Sequence, residues 1–103
     1  MQPHKFIKEV LRHYLEFEEY GQNTGQWTIE VQGYMVSFLD LQKALTDISP
    51  RKKEALFYNV ILDWKQAWVA ERMGIQPVAV GQYVDQACIQ LAKKLNFTED
   101  NGR

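Results

Sequence analysis

Apolar residues near the start of the chain recur at the three- and four-residue spacing that marks one face of an α-helix. The pattern runs from His4 to about Tyr20 and predicts an amphipathic helix there. The segment from Gly21 to Gly25 then interrupts the pattern with residues that favour turns. The apolar positions of this predicted helix are Phe6, Ile7, Val10, Leu11, Tyr14, Leu15 and Phe17.

Two short runs of β-branched and aromatic residues follow the turn. Trp27 to Val31 and Tyr34 to Val36 lie on either side of a Gln32-Gly33 step. Strand-forming residues around two residues that tolerate a tight turn are typical of a β-hairpin. The sequence therefore predicts a small hairpin after the first helix.

Two serines mark the starts of further helices. Ser37, with Asp40 three residues later, resembles a capping box and precedes helical spacing over Phe38 to Leu45. In Ser49-Pro50 the serine can cap free N–H groups, and proline is tolerated at the first helical position. The second of these helices is expected to run to about Leu62. The residues it should bury are Leu56, Val60 and Ile61 or their neighbours.

Two more helices, Gln66 to Met73 and Pro77 to Leu95, have the periodicity of a helix-turn-helix. Ala70 is small where two such helices would cross closely, and Gly74 can adopt the positive φ that ends the first of them. Ile75 would fill the gap between the helices. The residues expected on the inner faces are Val69, Met73, Val80 and Tyr83.

In units of this kind, the outward residues at the start of the second helix meet the major groove of DNA. Glutamine can bond adenine, and Val78 or Ala79 could contact a thymine methyl group. Gly81 costs roughly 1 kcal/mol relative to alanine inside a helix, which suggests a close approach to DNA or to another helix. The candidate base-reading residues are Gln76, Pro77, Val78, Ala79, Gly81 and Gln82.

Charge is divided unevenly along the chain. The formal net charge is −1, which argues against a protein that holds nucleic acid by bulk charge alone. Residues 1–48 carry four basic and seven acidic side chains (−3), whereas residues 49–97 carry seven basic and four acidic ones (+3). The basic part therefore coincides with the predicted helix-turn-helix, as expected for a nucleic-acid face on one module.

Basic residues near the helix starts are candidates for contact with DNA phosphates or with a polymerase. Positive charge at a helix N-terminus is unfavourable against the helix dipole, which favours an anionic partner. A solvated helix start remains an equal alternative. The candidates are Arg51, Lys52, Lys53 and Lys65.

The segment from Leu45 to Leu95 resembles the promoter-reading C-terminal domain of bacterial sigma factors, known as region 4. The resemblance rests on Ser49 to Leu56, on Gln66 to Val80, and on Ala87 and Leu91 in the long final helix. It implies a domain whose last helix reads promoter DNA while earlier helices dock on the flap of RNA polymerase. The chain is too short for a complete sigma factor, so the resemblance implies a free-standing transcription factor of phage or prophage.

Two departures from the sigma factor pattern are informative. Lys65 stands where the family usually has a Ser or Thr cap, and Trp68 stands where it has a polar or acidic residue. The base-reading stretch also lacks arginine, so phosphate affinity should be low. We expect the isolated protein to bind DNA poorly and to depend on polymerase or on self-association. Trp68 is a candidate protein contact, and packing on the N-terminal residues is favoured over full exposure.

These features predict a mainly α fold, a sigma region 4-like helix-turn-helix bundle with an N-terminal helix and a small β-hairpin. Residues 1–45 would form the N-terminal extension, residues 46–97 the helix-turn-helix domain, and residues 98–103 a disordered tail. The tail is assigned because it contains no apolar residue that could dock it.

The function expected from this sequence is sequence-specific binding of double-stranded promoter DNA together with engagement of bacterial RNA polymerase. One alternative is a protein that binds polymerase or a sigma factor without reading DNA. Another is the DNA-recognition subunit of a phage packaging machine, similar to a small terminase. The sequence also leaves open that the protein forms a homodimer.

No residue pattern indicates catalysis, so we expect neither an enzyme nor a cofactor or metal site. His13 has Glu9 and Glu16 within one helical turn, which indicates a solvated ion-pair face rather than metal ligands. Cys88 falls at core spacing and is the single cysteine, which excludes an internal disulfide. No segment approaches the roughly 18 apolar residues of a membrane helix. We therefore expect a cytoplasmic protein of a bacterium or phage-infected cell, without a membrane partner.

Overall fold

The computed structural model describes residues 2–97 and is mainly helical, as predicted. The predicted disordered tail, residues 98–103, lies outside the described residues. A π-helical turn, Phe57–Ile61, continues α4. The elements in chain order are α1 (Pro3–Arg12), α2 (Tyr14–Thr24), β1 (Thr28–Val31), β2 (Tyr34–Ser37), α3 (Phe38–Leu45), α4 (Pro50–Leu56), α5 (Gln66–Met73) and α6 (Pro77–Lys94).

The first apolar stretch forms two helices, so the prediction of one helix from His4 to Tyr20 is wrong. His13 separates α1 from α2 with φ −105° and ψ 17°. Its N–H donates to the carbonyl of Val10, three residues back, which tightens the last turn of α1. Leu15 keeps the apolar spacing but is 48% exposed. The apolar pattern cannot reveal the break, because it continues on both sides of it.

Gly21 lies inside α2 rather than at its end, which also corrects the predicted break at residues 21–25. The helix continues to Thr24 and ends at Gly25, whose φ is +75°. Gly21 is buried against Trp27, and a Cβ at Gly21 would overlap the indole ring. The glycine therefore provides space for an aromatic ring instead of ending the helix.

The predicted hairpin is confirmed. Strands β1 and β2 are antiparallel, with Val31 paired to Tyr34. Between them Gln32 and Gly33 both have positive φ, 51° and 86°. Two successive positive φ angles are the signature of the type I′ turn that matches the twist of paired strands.

The two serine-marked helices begin where the sequence predicts. The Ser37 hydroxyl accepts a hydrogen bond from the Asp40 N–H at 3.3 Å, so the predicted cap of α3 is present. Pro50 starts α4, but the Ser49 side chain makes no capping hydrogen bond. The Ser49 carbonyl instead accepts from the Lys53 N–H at 2.9 Å.

Helix α6 lies at the centre of one apolar core. Its buried face packs against α1, α4 and α5. Cys88 belongs to this face, and burial raises the pKa of its thiol to about 11. The predicted division at residue 45 stays a prediction, although α1 shares the core with α6. None of the described helices combines the length and apolarity required to cross a bilayer.

Candidate nucleic-acid interface

Helices α5 and α6 are joined by a short turn with defined hydrogen bonds. Gly74 takes the positive φ expected of it, 69°, and ends α5. The Ile75 N–H donates to the Ala70 carbonyl at 3.0 Å, and the Gly74 N–H donates to the Glu71 carbonyl at 3.4 Å. This pair of bonds is a Schellman motif, which satisfies carbonyls at the end of a helix. The turn is therefore fixed by main-chain geometry that favours glycine.

The inner faces of the two helices are apolar, as predicted. Val69 and Val80 are fully buried, and Ala70 is buried as well. Met73 is also buried, whereas Ile75 and Tyr83 are half-buried against the core. Apolar packing on both sides of the turn holds the start of α6 in a fixed position relative to α5.

The structure brings the predicted base-reading residues together around the first turns of α6. Gln76 and Gln82 are exposed, and within the described residues neither side chain has a hydrogen-bond partner. Val78 is 67% exposed, and Pro77 is exposed beside it. Ala79 is half-buried. The surface at the start of α6 therefore combines polar and apolar residues and has no charged side chain.

Gly81 is half-buried and lies close to another helix. A Cβ at Gly81 would lie 3.2 Å from the Gln66 Nε2 atom, a tight contact with the first residue of α5. The sequence suggests that Gly81 approaches either DNA or another helix. The structure contains the approach to another helix, α5.

Arg51 lies beside the turn between α5 and α6. Both terminal nitrogens of its guanidinium donate to the Met73 carbonyl at 3.4 Å. A cation at the C-terminus of α5 interacts favourably with the helix dipole. This contact gives Arg51 a role inside the fold, even though its charge is unfavourable at the start of α4.

The other predicted basic residues are arranged differently. Lys52 and Lys53 are half-buried on the first turns of α4. Lys65 is exposed at the N-cap position of α5, where its side chain makes no capping bond. Of these three lysines, Lys65 is therefore the most open to solvent.

Trp68 is 62% exposed on α5, so the favoured interpretation of packing on the N-terminal residues is wrong. The reason is the orientation of α5, which directs Val69, Ala70 and Met73 inward and leaves Trp68 on the opposite face. The alternative, a contact residue for a partner protein, stays a prediction.

Sequence reasoning missed an aromatic and basic cluster before α5. The guanidinium carbon of Arg72 lies 4.7 Å from the centre of the Tyr58 ring, a cation–π arrangement. The Tyr58 ring lies 4.6 Å from that of Trp64, and the Asn59 side chain donates to the Trp64 carbonyl at 2.9 Å. These contacts fix the link between α4 and α5. The sequence signal that could have revealed this cluster is the close spacing of the aromatic residues Tyr58 and Trp64.

His13 forms the ion-pair face that the sequence indicates. Its Nδ1 atom lies 2.7 Å from a Glu16 carboxylate oxygen, and its Nε2 atom lies 3.3 Å from one of Glu9. The hydrogen bond to Glu16 is the largest cause of the raised His13 pKa. Among residues 2–97 no cluster of three or more potential ligand side chains has the geometry to hold a metal ion.

Comparison of the chain with protein-family models, with curated proteins and with solved structures finds no match.

Proposed function

We propose that this protein is a sequence-specific DNA-binding transcription factor that reads promoter DNA through the start of α6. The observation that carries the proposal is the fixed α5–turn–α6 unit, which leaves Gln76 and Gln82 exposed and without hydrogen-bond partners among residues 2–97. The resemblance to sigma factor region 4 extends the proposal to the flap of bacterial RNA polymerase as partner. It also gives the setting, the cytoplasm of a bacterium or a phage-infected cell.

In this proposal the start of α6 lies in the major groove. Each glutamine can bond the N6 and N7 atoms of adenine, and Val78 can contact a thymine methyl group. The interface therefore favours sites rich in A·T pairs over sites that need arginine to read guanine. Lys52 in the first turn of α4 and Lys65 at the start of α5 would contact phosphates.

A second candidate function is binding of RNA polymerase or a sigma factor without reading DNA. Residues 77–92 contain a single charged side chain, Asp85, so α6 offers no cation to phosphate before Lys93 and Lys94 in its last turn. Trp68 and Val78 are 62% and 67% exposed, and large exposed apolar side chains are typical of protein contacts. Both candidates use the same helices, so an experiment must separate base reading from protein binding.

The test combines polymerase capture with transcription from a library of promoters. The double variant Gln76→Ala, Gln82→Ala removes both proposed adenine contacts, and Gln90→Ala is the control, because Gln90 is exposed two turns beyond Gln82 on the same helix. We expect the double variant to capture polymerase as the wild type does but to lose the preference among promoters. Promoter choice that is unchanged in the double variant contradicts base reading. Polymerase capture with no promoter preference in any variant supports the second candidate instead.

A further inference from the structure

An apolar groove lies between α2, α3 and the start of the π-helical turn. It has a volume of about 500 Å³, within the range of roughly 300–1,000 Å³ typical of ligand pockets. Lys53 is its cationic residue. The apolar side chains that line it are Tyr14, Leu45, Leu56, Phe57 and Ile61.

Helix α5 presents an exposed apolar side chain of matching character. Trp68 is 62% exposed in the first turn of α5, a helix held by packing and by the Schellman turn. Glu71 follows at a spacing of three residues, so it lies beside Trp68 on the outward face of the helix. Neither residue lines the groove of its own chain.

The charges next to these two features are complementary. Within residues 2–97, neither Lys53 nor Glu71 takes part in an ion pair. Lys53 is half-buried at the groove, and Glu71 is exposed one helical turn from Trp68. An indole entering the groove would bring the carboxylate of Glu71 toward the Lys53 ammonium. Such complementarity fixes the orientation of a contact and disfavours other partners.

We propose that the groove binds Trp68 of a second copy of this chain, with Glu71 of that copy paired to Lys53. Tryptophan is a preferred anchor of protein interfaces because it buries about 150–250 Å² of largely apolar surface. Two such contacts related by a two-fold axis give a closed dimer, whereas repeated head-to-tail contacts give a ring or a chain. The proposal does not rest on DNA binding, because α5 and the groove lie outside the residues proposed to read bases.

The experiment measures association of the full chain by sedimentation equilibrium over a wide range of protein concentration, without DNA or polymerase. We expect concentration-dependent association in the wild type. Trp68→Ala should raise the dissociation constant at least about thirtyfold, the effect of losing an interface anchor, and Trp68→Phe should restore part of the affinity. Met35→Ala is the matched control, because Met35 is as exposed as Trp68 but lies on β2, outside the groove. Circular dichroism checks that each variant is folded.

Charge reversal tests the pairing itself. Lys53→Glu and Glu71→Lys should each weaken association, and the double variant should associate more tightly than either single variant. A wild type that stays monomeric at every concentration overturns the proposal. The proposal is also overturned if Trp68→Ala associates with the affinity of the wild type, or if the double charge reversal associates no more tightly than either single variant. None of these outcomes changes the promoter preference expected of Gln76 and Gln82.

Discussion

Replacement of Gly21 by alanine is the sharpest test of the packing in the N-terminal half. In an ordinary helix interior this substitution stabilises the protein by about 1 kcal/mol, because alanine has the higher helix propensity. Here a Cβ would lie 2.6 Å from Trp27 Cδ2 and closer still to two other atoms of the ring. The indole of Trp27 packs on Phe38, with ring centres 5.5 Å apart, so it cannot move without losing that contact.

The two effects have opposite signs, and the steric one is larger. Overpacking a fitted site costs about 1–3 kcal/mol, and overlap with several ring atoms places Gly21 at the upper end of that range. Subtracting the propensity gain of about 1 kcal/mol leaves an expected loss of about 2 kcal/mol in unfolding free energy. For a chain of this size, that loss lowers the melting temperature by about 10 °C.

Urea denaturation followed by far-ultraviolet circular dichroism measures the loss, and a double-mutant cycle identifies its cause. In a Trp27→Ala background the clash is absent, so Gly21→Ala should become stabilising by about 1 kcal/mol. Gly25→Ala is the control. Gly25 has a φ of +75°, and a Cβ added there would have no side chain or backbone from another segment within 4 Å, so the cost of Gly25→Ala is backbone strain and should be the same in both backgrounds. An equal loss from Gly21→Ala with and without Trp27 would refute the steric argument.

Three further predictions concern single side chains. With its pKa raised to about 11 by burial, Cys88 has a thiolate fraction of roughly one in a thousand at pH 8. Reaction with a disulfide reagent should therefore be slow until urea unfolds the protein. For His13, Glu16→Gln should lower the pKa in an NMR titration. The stabilisation from charged His13 is complete below its ordinary value of 6.5 and is lost as pH rises through the raised folded value. Arg51→Ala removes two hydrogen bonds to the end of α5 and should lower the unfolding free energy by about 1 kcal/mol in urea titrations.

Elements with strong local signals were predictable from the sequence. The hairpin follows from Gln32-Gly33, which must supply two positive φ angles, and α3 and α5 have the predicted bounds. The break at His13 was not predictable, because the apolar spacing is the same on both sides of it. Gly21 was misinterpreted for a related reason, since the ring that requires a glycine there lies on Trp27 in the following segment. The contact between Gly21 and Trp27 is a tertiary one, so the pattern of residues around Gly21 does not indicate it.

The candidate interface was predictable to a similar extent. Periodicity places Gln76 and Gln82 on the outside of α6, since the inward positions of that helix are filled by Val80 and Val84. The environment of Trp68 was not predictable, because it depends on which element faces α5. The hydrogen bonds of Arg51 to Met73 were also hidden, since they join residues 22 positions apart.

In the folded protein the acidic and basic halves of the chain are joined by ion pairs. Lys94 lies 3.2 Å from Asp47, and Lys8 lies 3.5 Å from Asp85. The Lys94–Asp47 pair takes one cation from the basic half and the Lys8–Asp85 pair takes one of its acids, so the net charge of that half stays +3, but residues 76–82 at the start of α6 carry none of it. The salt-dependent part of DNA affinity grows with the number of phosphates neutralised. The proposed reading face would therefore bind weakly alone, and a second attachment, to polymerase or to another copy through Trp68, would raise its effective concentration on DNA.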